Sequence, residues 1–342
     1  TLAFWAKEMR GAGVSLMEKL SELEDPRQPS NGTRHDFREI LVIAVCAMLS
    51  DADSFEDIAL WGRLKADWLR RFLVLKNGIP SQDTFLRVFR VLDPKQFEAV
   101  CRRWMGGIVG ALDGVMAVDG KTLRRSADGD APPVHMVSAF STELGLVLGQ
   151  EKVAGKSNEI TAIPELLEAL HIKGLLVSID AMGCQRESAA KITEKGADYL
   201  LAVKGNQPTL HQQVRDLISD AQVATDGFKH VDKSHGRTVM QLSWVAASGK
   251  EIDAELWPGC KTVGCVVSQR VVGEKVAELE ERYYISSRKL TAEELAKTVR
   301  AHWAIENRLH WMLDVCFGED DCMIRKDNAP QNLSLLKKIV LN

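Results

Sequence analysis

A change of texture at residues 106–114 constrains this chain more than any other feature. Before it, apolar residues recur at helical spacing; after it come short runs of β-type residues. Phe37–Leu49 reads as an apolar helix. Ser54-Phe-Glu-Asp57 caps the next, which carries Trp61, Leu64, Trp68, Leu69 and Phe72 at helical intervals. A break at Lys76-Asn-Gly-Ile-Pro80 leads to a short helix opened by Ser81, and Asp93-Pro94 opens another as cap and first-turn proline. Residues 1–110 are therefore expected to form an all-α domain. Helix, glycine-containing turn, helix has the outline of a helix-turn-helix. Trp61–Arg90 is the most basic stretch, with Arg63, Lys65, Arg70, Arg71, Lys76, Arg87 and Arg90 against Asp67 and Asp83. Such a surface suits phosphates, although any one of these arginines is more readily explained as part of a solvated helix face.

Gly106–Gly114 reads as a linker or tight turn. Strands are expected at Val115–Val118, Val134–Ser141 and Leu144–Val153, with Leu144-Gly145 marking a hairpin turn. A helix follows at Ile163–Leu170, with Pro164 in its first turn. The continuous apolar run Leu175–Ile179 suits a strand buried on both faces. Then come a helix (Glu187–Lys195) and a strand (Tyr199–Val203). Three antiparallel strands passing into right-handed α/β units is the order of a ribonuclease-H-like domain. The expected fold is thus α/β: a ribonuclease-H-like core over residues 111–342, preceded by the all-α domain. A helical piece (Thr209–Asp220) and strands at Val239–Ala246, Thr262–Val272 and Val276–Ser286 read as a β-rich insertion at about 208–288. A last helix, NLSLLKKIVL, closes the chain.

The net charge of −3 means that any nucleic-acid surface must be local. The longest apolar run, Ile40–Leu49, is too short to cross a bilayer. No stretch reads as a signal peptide, and a start at Thr1 without Met points to an N-terminus lying upstream. The 7 cysteines are scattered without a CxxC pair, which argues against a structural zinc site and fits reduced thiols in a cytoplasm.

Thr298–Asp314 reads as one helix, introduced by the capping box Thr291-Ala-Glu-Glu294. Glu306 stands in it among Trp303, Ile305, Leu309 and Trp311, one turn from both His302 and His310, so the three share a face. An acid is costly to bury in such company unless it binds something positive. Two further isolated acids follow apolar runs: Asp119 after VMAV and Asp180 after LLVSI. The expectation is that the fold gathers Asp119, Asp180 and Glu306 around divalent metal ions. Two ions about 3.5–4 Å apart stabilise both the attacking and the leaving oxygen of a phosphoryl transfer. Mg²⁺ takes oxygen ligands, which carboxylates supply. A strand also ends in Asp simply to open a turn; what singles these acids out is the three together, in order. Lys121, Arg124 and Arg125 follow Asp119 as candidate phosphate contacts, Lys204, Asn206 and Gln207 end a strand, and His235 and Arg237 lie in the insertion. Each of these also reads as an ordinary polar loop. A competing constellation, His302-x₃-Glu306-x₃-His310, has donors for zinc, but it leaves Asp119 and Asp180 without a task.

The stretches VDGKTLRRS, SIDAMGCQ, YLLAVKGNQPTL, SHGR, YYISS and RAHWAIENRLHWMLDVCFGEDDCMIRKDNAPQN resemble the H-repeat-associated transposases of bacterial insertion sequences, within the DDE superfamily. HDFREILVIAVCAMLSDADSFEDIALWG and NGIPSQDTFLRVFRVLD resemble the region preceding the catalytic core in that group. The resemblance implies a protein acting on DNA in the bacterial cytoplasm, at the nucleoid and not in a membrane. It would bind terminal inverted repeats, cleave double-stranded DNA with Mg²⁺ (or Mn²⁺), and join the freed 3′-hydroxyl to target DNA, working as a homodimer assembled on two ends. Asp119, Asp180 and Glu306 match its three catalytic acids. Wider relatives carry Y-x₂-R-x₃-E-x₆-K around the glutamate; here those positions hold Val299, His302 and Leu313. Arg300, His302, Asn307 and Arg308 are therefore the candidates for gripping DNA. A domesticated nuclease on the same fold and a DNA-binding protein without turnover are the alternatives. The trio Glu319–Asp321 also matches the group, without a physical role readable from sequence.

Overall fold

The computed structural model describes residues 16–29, 33–109, 113–154, 159–224, 227–234, 237–273 and 275–342. The chain runs through α1 (Leu16–Leu20), α2 (Phe37–Met48), α3 (Phe55–Leu64), α4 (Ala66–Leu69), α5 (Gln82–Val91) and α6 (Pro94–Val109) before its first strand. Then follow β1 (Val115–Thr122), β2 (His135–Ser141), β3 (Leu146–Lys152), α7 (Glu159–Ala169), β4 (Leu176–Ile179), α8 (Arg186–Glu194), β5 (Asp198–Val203) and α9 (Pro208–Ala224). The remainder is β6 (Phe228–Ser234), β7 (Arg237–Ala247), β8 (Thr262–Val272), β9 (Lys275–Val276), β10 (Glu280–Ser286), α10 (Ala292–His302), a π-helical segment (Ile305–His310), α11 (Trp311–Val315), a 3₁₀ turn (Glu319–Asp321) and α12 (Ala329–Leu341).

Of the caps expected in the helical region, Ser54 and Asp93 form, Ser81 stands at the cap position of α5 without a capping hydrogen bond, and Asp36 caps α2 in addition. Asp36 accepts from the Arg38 and Glu39 amides, Ser54 from the Asp57 amide, and Asp93 from the Lys95 and Gln96 amides. Ile40, Ile43, Ile58, Phe85, Phe89 and Phe97 form its core. The chain's last helix completes that core: α12 adds Leu333 and Leu336, and Asn332 donates to the Phe89 and Leu92 carbonyls at 2.9 and 2.8 Å. Both ends of the chain therefore build the helical layer. That layer packs beside the edge strand β3, where Leu146 joins the helical core.

The strands form one 10-stranded sheet in the order β3-β2-β1-β4-β5-β10-β8-β7-β6, with β9 on β8. β1, β4 and β5 run parallel, while β2 and β3 are antiparallel to their neighbours. The later strands do not stand apart, because β10 pairs antiparallel with β5 and the sheet simply continues. Side chains alternate between the two faces. Met116, Val118, Val177, Ile179, Leu201 and Ile285 pack on one side with α7, α8 and α9. Leu176, Leu200 and Tyr284 face Leu295 and Val299 of α10, and Ala117 faces Ile305, Leu309 and Leu313.

Several local expectations differ from what is observed. The helix expected to carry Trp61 to Phe72 is broken after Leu64 into α3 and α4, α6 runs to Val109 into the expected linker, and the strand expected at Val276–Ser286 is split into β9 and β10. β1 continues past Asp119 to Thr122, because its partner β2 pairs it through Thr122–His135 while the β1–β4 pairing ends at Val118–Ile179. Helix α7 starts at Glu159, whose carboxylate bonds His135 at 2.7 Å, so Pro164 lies inside the helix rather than in its first turn. The helix bearing Glu306 is not uniform: α10 ends at His302 and gives way to the π-helical segment.

Candidate active site

Sheet register assembles the site. Val118 pairs with Ile179, and Ile179 with Leu201. One residue further on, Asp119, Asp180 and Ala202 stand side by side, and Ala202 pairs with Tyr284 of β10. Alternation puts this row on the face covered by α10 and the π-helical segment. Asp119, Asp180 and Glu306 line a single cavity of 250 Å³, together with Lys204, Arg282, His302 and Trp303.

The three acids differ in environment. Asp119 is mostly buried. Burial foremost, then the charges of Asp180, Glu159 and Glu306, push its carboxyl up to about 7 against a downward pull from the Gly120 N–H. Asp180 has one carboxylate oxygen committed to a turn, accepting from the Met182 and Gly183 amides at 3.0 and 3.1 Å. It thus opens a turn and lines the cavity at once. Glu306 corrects the expectation of a buried acid: it is exposed, because Ile305 and Leu309 take the core-facing positions beside it. Its carboxyl is still raised, by partial desolvation first and also by Asp180, with Arg282 pulling it down. The π-helical geometry matters here, since an extra residue per turn re-aims side chains and such segments recur at functional sites.

The two histidines do not neutralise these acids. His310 Nδ1 lies 3.6 Å from Asp119. Burial foremost, aided by the nearby charges of Lys338 and Lys121, pushes its imidazole down to about 3, so the contact is not an ion pair. His302 is half-buried beside the Ser178 backbone and held below the usual imidazole range by desolvation. His310 Nε2 and His302 Nδ1 are buried without a hydrogen-bond partner among the described residues. In this conformation no three His, Cys, Asp or Glu side chains among the described residues converge closely enough to hold one ion. That applies to the zinc constellation as well as to the three carboxylates.

The other candidates fall into separate places. Lys204 lines the cavity. Asn206 donates to the Ala181 carbonyl at 2.7 Å and Gln207 to that of Cys184 at 3.0 Å, so both fasten the loop following Asp180. Lys121 is engaged elsewhere: its Nζ lies 2.6 Å from Asp314 and 3.1 Å from both Glu319 and Asp320. Arg124 pairs with Asp320 at 3.1 Å, and Arg125 with Asp321 at 3.2 Å. The acidic trio thus binds the three cations that follow Asp119. Arg308 donates to the Thr142 carbonyl at 2.8 Å at the β2–β3 turn, and Asn307 bonds back to the Trp303 carbonyl. Arg300 has one buried terminal nitrogen without a partner among the described residues. Arg237 opens β7, and His235 lies outside the described residues.

Two features escaped the sequence reading. Arg282 lines the acid cavity from β10. A larger cavity of 850 Å³ lies in the helical region, lined by Arg27, Arg34, His35, Arg87 and Arg90 along with Asp327. Arg87 and Arg90 belong to the basic stretch, but Arg27 and Arg34 come from a loop whose approach to α5 no local pattern announces.

A row of carboxylates on adjacent strands, facing a helical glutamate across one cavity, is the arrangement expected of a metal-dependent phosphoryl-transfer protein. Residues 110–342 match the family described as "Transposase DDE domain", and residues 17–105 match the region described as "DDE_Tnp_1-associated". The chain belongs to the DDE-domain transposase family. It is 43% identical over 338 residues to "Putative transposase YncI" of Escherichia coli O157:H7, covering 96% of this chain and 86% of that one. It is 42% identical to "H repeat-associated putative transposase YhhI" of Escherichia coli strain K12, covering 96% and 89%. Among solved structures, a piggyBac transposase in a synaptic complex with hairpin DNA aligns with 95% of this chain and 70% of its own, at 11% identity and a TM-score of 0.41.

Proposed function

We propose that this chain is the transposase of a bacterial insertion sequence, with Asp119, Asp180 and Glu306 as its catalytic carboxylates. It binds the terminal inverted repeats, cleaves the DNA strand in the presence of Mg²⁺ or Mn²⁺, and joins the freed 3′-hydroxyl to target DNA. We read strands β3-β2-β1-β4-β5 as a ribonuclease-H-like core. The segment from α9 to β10 is then an insertion, and residues 1–110 are an accessory domain that contacts DNA. The observation that carries this reading is the register that sets Asp119 beside Asp180, with Glu306 across the same cavity.

The donor set suits a divalent cation. Its ligands are hard carboxylate oxygens, and burial foremost, with the acids' mutual charge, raises the proton affinity of Asp119 and Glu306. Bound there by Asp119, Asp180 and Glu306, such ions supply charge stabilisation at the scissile phosphate and activate the attacking oxygen. The protein's own part is placement. The parallel β1–β4 pairing fixes the two aspartates, Asn206 and Gln207 hold the loop after Asp180, and Lys204 adds a positive charge at the cavity wall. The basic groove of the helical region suits the phosphate backbone beyond the cleavage point. Holding two element ends together calls for a homodimer on DNA, working at the chromosome in the bacterial cytoplasm. Among the described residues, no helix is long and apolar enough to cross a membrane.

The test is strand cleavage of an end-labelled duplex carrying the element's terminal repeat, with Mg²⁺ or Mn²⁺. Wild type is expected to cleave at the end, and Glu306→Gln to bind the duplex without cleaving it. Cleavage by Glu306→Gln at the wild-type rate would remove Glu306 from the mechanism.

A further inference from the structure

The cavity that gathers three acids also contains an arginine they do not touch. Tyr283 pairs with Val203, which sets Arg282 opposite Lys204, one pleat beyond the Asp119–Tyr284 row and on the same face. Trp303, from the helix side, meets it: the Arg282 guanidinium lies 4.5 Å from the centroid of the indole. Its Nε and Nη2 both approach Glu280 Oε1, at 3.0 and 2.8 Å. Among the described residues no ion pair joins Arg282 to Asp119, Asp180 or Glu306.

This is not how an arginine is used to neutralise neighbouring acids. Its partner Glu280 is more than half exposed and only two residues away on the same strand, a pairing that adds little stability. What Glu280 and Trp303 do together is hold the fork in one orientation at the cavity wall. A stacked, oriented guanidinium is suited to phosphate oxygens, because its planar donors match their spacing and little freedom is lost on binding. Carboxylates alone would repel a DNA strand, so a cavity meant for a phosphodiester needs a fixed cation beside its metal-binding acids. Lys204 is the flexible cation there, and Arg282 the rigid one.

We propose that Arg282 grips a nonbridging oxygen of the scissile phosphodiester, with Trp303 as the platform that orients it. The inference rests on the transposase reading. Arg282 forms no covalent bond and gives up no proton. In the cleavage step the oxygen of water bonds to phosphorus, the bond from phosphorus to the 3′-oxygen breaks, and that oxygen leaves as a hydroxyl carrying a proton from the water. The guanidinium stabilises the negative charge that builds on the phosphoryl oxygens as this happens.

Arg282→Ala and Arg282→Lys are to be compared with wild type in single-turnover cleavage of the labelled terminal-repeat duplex, after a thermal melt confirms that each folds. Arg282→Ala is expected to slow cleavage by about 10²–10³-fold. Arg282→Lys should slow it at least ~10-fold, since an ammonium keeps the charge without the fork or the stack. If Arg282→Ala fails to fold, Arg282→Lys carries the test. A second readout is independent of cleavage: binding of the same duplex with a neutral methylphosphonate at the scissile position. That replacement should weaken binding to wild type and make no further difference to the Arg282 variants, the non-additivity expected of groups in contact. Cleavage by both variants within threefold of wild type, or equal weakening by the methylphosphonate in all proteins, overturns the assignment while leaving the transposase reading intact. If wild type binds without cleaving, the methylphosphonate comparison decides. Failure of wild type to bind or cleave any terminal-repeat duplex sinks the transposase reading, and this inference with it.

Discussion

Asp119 and Lys121 sit two residues apart on one face of one strand, and their surroundings are opposite. Lys121 meets Asp314, Glu319 and Asp320 within 3.1 Å, with Asp320 accepting a hydrogen bond from its ammonium. Asp119 is largely buried too, but the charges that act on it are those of three more acids, Asp180, Glu159 and Glu306, the histidine beside it is neutral, and its carboxyl is pushed up to about 7. One cluster has a cation at its centre; in the other no cation among the described residues is ion-paired to the three acids, and Lys204 and Arg282 stand at the cavity wall. In a fold of marginal stability, an incomplete buried cluster marks the place where something else binds. The same contrast explains the acidic trio at residues 319–321. Its carboxylates fasten Lys121, Arg124 and Arg125, and so tie the far end of β1 to the C-terminal segment.

The sharpest way to break this comparison is to remove the cation from the completed cluster. Lys121→Met should destabilise the protein by about 3 kcal/mol. That is the low end for a broken buried pair, because Asp314 and Asp320 keep some solvent. Urea melts would show it, and an unchanged midpoint would mean that the cluster is ornamental.

A buried acid outside both clusters sharpens the point. Glu98 takes one hydrogen bond from the Gln150 amide and is pushed up to about 7 by burial. Its folded value exceeds its ordinary 4.5, so the native state holds the proton more tightly than the unfolded chain. Wild type should therefore lose stability as pH rises from about 4.5 to about 7, with no further loss from this group above. Glu98→Gln should remove that slope, equalling wild type at pH 4 and exceeding it by roughly 1–3 kcal/mol at pH 8. Identical pH profiles of melting temperature would contradict the burial argument.

In the incomplete cluster, substitution should help stability while it harms function. Asp119→Asn, in chelator, is expected to gain about 1 kcal/mol by removing an acid held among acids, with strand cleavage abolished. A loss of stability there would mean that Asp119 is a structural partner after all. The smallest effect belongs to the rim: Arg124→Ala and Arg125→Ala remove pairs whose arginines are 76% and 53% exposed, and should shift stability by no more than about 0.5 kcal/mol each.

Much of this arrangement is legible locally. Asp119 and Asp180 declare themselves as single acids after apolar runs, and Thr291–Glu294 forms the capping box its spacing announces. Long-range pairing is what local pattern cannot carry. Arg282 looks like one more charge in ELEERYY until β10 is laid antiparallel to β5. Lys121 and the acids that hold it are some 190–200 residues apart in sequence, so its neighbours are invisible to any window. Glu306 is the opposite case. Its residue type and place are readable, but a uniform helix would not give its exposure. That depends on the π-helical segment, which carries neither Pro nor Gly to betray it.

The central claim is that the Asp119–Asp180–Glu306 cavity is completed by divalent cations. Its most direct test is Mn²⁺ binding followed by electron paramagnetic resonance, with wild type, Asp119→Asn and Arg124→Ala as the three samples. The account predicts saturable Mn²⁺ binding by wild type, the same binding by Arg124→Ala, and at least ~10-fold weaker binding by Asp119→Asn. Equal Mn²⁺ affinity for wild type and Asp119→Asn would contradict it.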